Sequence, residues 1–170
     1  DLTDDEMNQL YNHPKVKAHL SFTHGEGFGR PLLEASFSGK PIIAPCETGQ
    51  KDFLDENNTV KLPGQYVKVP NRSFPKEFYV DTCEWFGVNY GLASQIIRDV
   101  HKNYTKYAVK GKKLMLLNRR MFTHDKMREK LEQIVDQQLS SLPKQVDIKL
   151  PNMKKEDKKE EKSLPKLRKI

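Results

Sequence analysis

One stretch constrains the fold more than any other: Ser21-Phe22-Thr23-His24-Gly25-Glu26-Gly27-Phe28-Gly29-Arg30-Pro31-Leu32-Leu33-Glu34-Ala35. It reads as a strand end, a glycine-rich turn and a helix start. Leu20 and Phe22 close a short apolar run, and Gly25, Gly27 and Gly29 follow. Glycine tolerates positive φ and lets a backbone approach a ligand closely. Pro31 suits a first helical turn, where no hydrogen bond is lost. Leu32, Leu33, Ala35 and Phe37 give the helix an apolar face, and Gly39 and Pro41 stop it. Pro41-Ile-Ile-Ala-Pro45 is then a short unbroken apolar run, the signature of a parallel strand buried on both faces.

Strand, helix, strand in this order is a βαβ unit with a right-handed crossover. Ligands of such sheets lie at the C-terminal ends of the strands. That rule brings His24 to Arg30 and Cys46 to Lys51 to one rim. A turn leading into a helix aims free N–H groups at one spot, which suits an anion. Two carboxylates frame the spot, Glu26 in the turn and Glu34 in the helix. Glu34 has two readings: a charge compensating the helix dipole, or a bidentate acceptor for neighbouring hydroxyls such as those of a ribose. The turn is neither G-x-G-x-x-G nor a P-loop.

The flanking sequence fills in an α/β pattern. Thr3-Asp-Asp-Glu6 is a capping box opening a short helix with Met7, Leu10 and Tyr11 on its apolar face. Pro14 ends that helix. Val16, Ala18, Leu20 and Phe22 alternate as in a half-buried strand, which puts His19 on the solvated phase. Val60-Lys-Leu62 is a third short strand and Tyr66–Val69 a further extended segment. Residues 70–78 read as a loop, and Trp85 and Phe86 as core anchors, with a Trp85 that stacks on a base in a groove as the alternative. From Asn89 the spacing of Leu92, Ile96, Ile97, Val100 and Tyr104 marks an amphipathic helix. A second helix spans about 106–118, slightly weakened by Gly111. Thr123 caps a third, with Met127, Leu131, Ile134, Val135 and Leu139 facing inward until Pro143.

From residue 144 the composition changes to Lys, Glu and Asp. The expected organisation is a folded unit over 1–143 and a charged, disordered tail over 144–170. The 170 residues carry a formal charge of +7, which favours anions without separating nucleotide, nucleic acid and membrane surface. No apolar run is long enough for a membrane span, and no signal peptide is visible. Cys46 and Cys83 fit no metal or redox spacing, so free thiols in a reducing, cytoplasmic compartment are expected.

Glu26-Gly-Phe-Gly-Arg-Pro-Leu-Leu-Glu34-Ala35, followed by Gly39-Lys-Pro-Ile-Ile-Ala44, resembles the E-x7-E signature of retaining nucleotide-sugar glycosyltransferases of the GT-B fold. The segment Leu2–Tyr11 is similar to the helix that precedes this signature, and Cys46–Leu54 to the glycine-bearing loop that follows it. The resemblance covers Leu2 to about Leu54. It implies the C-terminal, donor-binding domain of that fold: a partial Rossmann-like parallel sheet with flanking helices, followed by C-terminal helices and the charged tail. Earlier strands, the acceptor domain, the usual Arg/Lys pair at the diphosphate and most of the base pocket are not in the sequence. The chain is therefore expected to be a donor-site fragment, inactive alone and completed by an N-terminal acceptor domain or another chain. Its bare sheet edge is expected to pair with a second copy as a homodimer.

The resemblance also implies roles. Glu26 is the catalytic carboxylate beside the transferred sugar. Gly25, Gly27, Phe28 and Gly29 form the turn that meets the sugar and diphosphate, Glu34 holds the ribose, and Thr48 and Gly49 border the donor. Arg30 stands where the family often has an apolar residue, and it is a candidate phosphate contact. The donor is a UDP- or GDP-sugar, transfer proceeds with retention, and no metal or cofactor is implied. A carboxylate and helix-end N–H groups suit an oxocarbenium-like transition state with a departing diphosphate. The alternative is a non-catalytic module of the same origin that binds a nucleotide or polyanion through its basic surface and tail.

Overall fold

A computed structural model describes residues 1–70, 73, 80 and 82–141. The expected tail, and most of the expected loop over 70–78, lie outside the described residues. Contacts divide the chain into residues 1–132 and 133–170. The first holds a three-stranded parallel sheet in the order β1 (His19–Leu20), β2 (Ile42–Ala44), β3 (Val60–Lys61). It also holds an antiparallel hairpin of β4 (Gly64–Lys68) and β5 (Glu84–Val88). Helices α1 (Asp4–Asn12), α2 (Arg30–Ser36), α3 (Tyr90–Lys102) and α4 (Tyr104–Met121) belong to it, and α5 (His124–Ser141) starts there and ends in the second unit. Among the described residues the protein is thus mixed α/β. No helix among them is long and apolar enough to cross a membrane.

The central strand explains the layering. Ile42 and Ala44 face one side, with Leu32, Leu33 and Ala35 of α2 and Leu114 of α4. Ile43 faces the other, with Val60, Leu62, Phe86 and Val88 and with Ala93 and Val100 of α3. Successive strand residues point to opposite faces, so a strand covered on both sides must be apolar throughout. As a βαβ unit requires, β1 and β2 are parallel, with His19 opposite Ile42 and Leu20 opposite Ile43. Thr3 caps α1 in a complete capping box with Glu6, and Asn89 caps α3 through the Leu92 N–H at 3.0 Å.

Four expectations change. The strand expected over Val16–Phe22 shrinks to two residues, because β1 lies at the sheet edge and has one neighbour. Its phase holds, with Ala18 and Phe22 packed toward Ile43, but Leu20 is 46% exposed at that edge. His19 is not solvated: it is half-buried on the α2 side, its ring edge-on to Tyr11 and its Nε2 3.3 Å from Ser38 Oγ. Burial, reinforced by the Lys40 charge, holds its pKa below the ordinary value. Phe86 anchors the core, whereas Trp85 is only half-buried, since the two adjacent residues lie on one strand and take opposite faces. The apolar residues expected inside α5 are all exposed, although Thr123 does cap that helix through the Lys126 N–H.

Helix α4 holds the sheet-side helix in place. Asn118, buried, donates to Ser36 Oγ at 2.8 Å, and Arg119 donates to the Phe37 carbonyl at 3.1 Å. Gly111 fits against the backbone after α2. A Cβ there would lie 2.5 Å from the Lys40 carbonyl carbon and 2.8 Å from the Gly39 oxygen. Gly111 is therefore the residue that lets two backbones meet, not merely a weak point in a helix.

Candidate functional site

The strand-end rule places the site at the rim formed by the glycine turn and the loop after β2, and both are there. The Glu26 N–H donates to Thr48 Oγ1 at 2.9 Å, and the Gly49 N–H donates to the Glu26 carbonyl at 3.0 Å. The loops approach so closely that a Cβ on Gly49 would sit 1.9 Å from the Gly27 carbonyl oxygen. Thr48 takes a left-handed conformation, φ 60°, uncommon for a residue with a branched side chain. Backbone of this kind costs free energy and tends to cluster at functional sites. Gly25 packs beside Thr48, and a short 3₁₀ turn (Thr48–Asp52) carries the loop onward. Gly25, Glu26, Gly27, Thr48 and Gly49, all singled out in the sequence, thus come together.

Gly29 opens α2 at φ 86°, and its carbonyl accepts from the Leu32 and Leu33 N–H groups. Phe28 is partly exposed, and its ring packs on Phe53 and Phe122, with centroids 5.2 and 6.2 Å away. The ring thus packs into an aromatic cluster while part of it stays exposed. Beneath the turn, Gln50 is buried and donates to the Pro45 carbonyl, while its Oε1 has no partner.

Glu34 stands one helical turn after Arg30. The Arg30 guanidinium pairs with it at 2.9 Å, and the Tyr11 hydroxyl donates to it at 3.4 Å. Burial, followed by the negative charge of Glu34, pushes the Tyr11 phenol pKa up, so this hydroxyl keeps its proton. Arg30 is largely exposed, and a pair of this kind is weak. In the structure Arg30 pairs with Glu34 within one helix. Glu34 is half-exposed, with Oε1 paired to Arg30 and Oε2 accepting from Tyr11.

A second wall was not legible in the sequence. The hairpin reaches the turn at His24, whose carbonyl accepts from the Phe86 N–H at 3.0 Å. His24 Nδ1 lies 2.8 Å from the Phe86 carbonyl. A carbonyl only accepts, so Nδ1 carries a proton and donates to it. The imidazole stacks on Trp85, with centroids 4.1 Å apart and planes 4° from parallel. Between hairpin and turn lies an open cleft of about 570 Å³, lined by Phe22, Thr23, His24, Gly25, Thr48, Tyr66, Glu84 and Trp85. The available signal was the pair Trp85-Phe86 in a short extended stretch, where one ring must leave the core.

Cys46, buried beside this rim, has its thiol pKa raised by burial to about 11, so it is an inert core residue rather than a nucleophile. Cys46 and Cys83 are both free. Among the described residues no group of three or more His, Cys, Asp or Glu side chains is placed to hold a metal. Compared with known proteins, the chain matches no family model and no curated protein sequence.

Proposed function

We propose that the rim binds a nucleotide-diphosphate sugar and forms the donor side of a retaining glycosyltransferase. The observation that carries this reading is the register of two glutamates on one glycine turn. Glu26 is clamped at its backbone by Thr48 and Gly49, and Glu34 follows on the helix that Gly29 starts. A binding module with another task has no evident need for both carboxylates in this frame. On this reading Glu34 accepts the ribose hydroxyls and Glu26 places negative charge beside the anomeric carbon. The backbone from Gly25 to Gly29 receives the sugar and diphosphate. Preorganised groups aimed at developing charge lower the barrier most where water is excluded. The half-exposed Glu26 fits a site that a further domain or another chain closes while presenting the acceptor.

The test is thermal unfolding of the chain with UDP, GDP, ADP and their sugar conjugates, alongside Glu34→Ala. A ligand at a hundred times its dissociation constant stabilises the folded state by about 2.7 kcal/mol. The expected outcome is a shift with one nucleotide series that disappears in Glu34→Ala. No shift with any of them would refute the donor reading for this chain and favour the non-catalytic alternative.

A further inference from the structure

Helix α4 has two faces of different chemistry. Its inner face is packed: Leu114 is fully buried, Asn118 donates to Ser36 Oγ, and Gly111 sits against the Lys40 backbone. Its outer face carries Val109, Leu116, Leu117 and Met121, which are 49, 64, 44 and 59% exposed. The charged residues of the helix are Lys106, Lys110, Lys112, Lys113, Arg119 and Arg120, all positive. Lys113 and Arg120 stand two helical turns apart. Leu116 and Leu117 lie three and four residues from each of them, so the four side chains are neighbours on one face.

Together with Asn58 these four residues line an open hollow of about 350 Å³. Asn58 precedes β3, whereas the glycine turn and the Thr48 loop follow β1 and β2. The strands are parallel, so the hollow lies at the opposite end of the sheet from the rim. Exposed apolar surface framed by polar groups marks an interaction site. Its partner must satisfy the cations and the leucines together. A nucleic acid takes up the cations through its phosphates, but it leaves Leu116 and Leu117 in water. A second copy on the same face sets cation against cation, which costs free energy. A protein that wraps a basic helix all round needs the inner face, which is already packed.

An anionic bilayer satisfies both demands. Its headgroups attract Lys and Arg, and its upper acyl region accepts apolar side chains from a helix lying in the interface plane. We infer that the outer face of α4 docks on an anionic lipid surface. Lys113 and Arg120 meet the headgroup phosphates and carboxylates, and Leu116 and Leu117 enter the boundary beneath them. The glycine turn and its glutamates play no part in this contact.

The test is co-sedimentation of the full chain with vesicles of phosphatidylcholine alone and of phosphatidylcholine mixed with phosphatidylserine. Binding to the mixed vesicles is expected, with little to phosphatidylcholine alone and a decline as salt is raised. The double variant Lys113→Gln/Arg120→Gln should bind the mixed vesicles roughly thirtyfold more weakly. Leu116→Ser/Leu117→Ser keeps every charge and should still weaken binding by about tenfold or more. Both leucines are exposed, so the melting temperature of that variant should match the parent. Glu34→Ala should bind vesicles as the parent does, which separates this surface from the donor reading. Equal binding to both vesicle types, or none to either, would overturn the inference. So would binding that survives both double variants, as it would if residues 144–170 carried it. Duplex DNA that is bound more tightly than the vesicles, and equally well by the serine variant, would assign the face to nucleic acid instead.

Discussion

The β1–α2–β2 unit and helix α5 carry apolar residues at equally regular spacing, yet their fates differ. Ile42 and Ala44 are fully buried and Ala35 nearly so, because α2, α4 and the hairpin side close on both faces of β2. Leu131 is 61% exposed and Leu139 57%, with Met127, Ile134 and Val135 also open to solvent. Periodicity defines a face that is able to bury. Only a partner of matching shape buries it. The β1–α2–β2 unit finds such partners on α3, α4 and the hairpin, far along the chain, whereas the apolar residues of α5 stay exposed.

Two leucines put that contrast to its largest test. Leu114 on α4 is fully buried against α2 and β2, so Leu114→Ala removes both transfer free energy and packing. It should cost about 3–5 kcal/mol, read as a lower denaturant midpoint. Leu131→Ala on α5 should change stability by no more than about 0.5 kcal/mol. Equal costs at the two positions would mean that α5 is covered in solution, and the contrast between the regions would fail.

How much could be read beforehand follows the same division. The capping box, the proline-started helix, the βαβ order and the meeting of the turn with the Thr48 loop all rest on short-range chemistry, and all were legible. So was the choice of Gly25, Glu26, Gly27, Thr48 and Gly49 as neighbours, since strand ends in a parallel sheet share a rim. The Arg30–Glu34 pair, four residues apart, follows from helical spacing. What was not legible depends on contacts far apart in sequence. Nothing local says that His24 will bond to Phe86 at both backbone and ring, or that Trp85 will stack on the imidazole. The solvated phase expected for His19 failed because α1 and the segment after α2 supply Tyr11 and Ser38 to cover it.

Gly111 gives a sharper and smaller effect, in which the sign matters more than the size. In an open helix interior, Gly→Ala stabilises by about 1 kcal/mol. Here the new methyl meets the Lys40 and Gly39 backbone, which cannot swing aside as a side chain can. Gly111→Ala should therefore destabilise by about 1–3 kcal/mol, as overpacked sites do. Chemical denaturation checks it, and a gain in stability would show that α4 and the segment after α2 are held less closely than the structure has them.

The smallest expected change in stability belongs to Gly27, and it is informative for that reason. A Cβ at Gly27 meets no atom within 4 Å, and its φ lies outside the left-handed region, which only Gly29 and Gly39 occupy among the glycines. Folding thus places no demand on glycine there, in contrast to Gly49, whose Cβ would strike the Gly27 carbonyl at 1.9 Å. Gly27→Ala should leave stability within about 0.5 kcal/mol of the parent, or raise it slightly through the unfolded chain. If a sugar diphosphate lies against the turn, the added methyl occupies the ligand's space. Gly27→Ala should then abolish the nucleotide-sugar shift in melting temperature while the unliganded melting temperature stays put. A retained shift would mean that the ligand does not touch this part of the turn, and the roles of Glu26 and Glu34 would have to be separated.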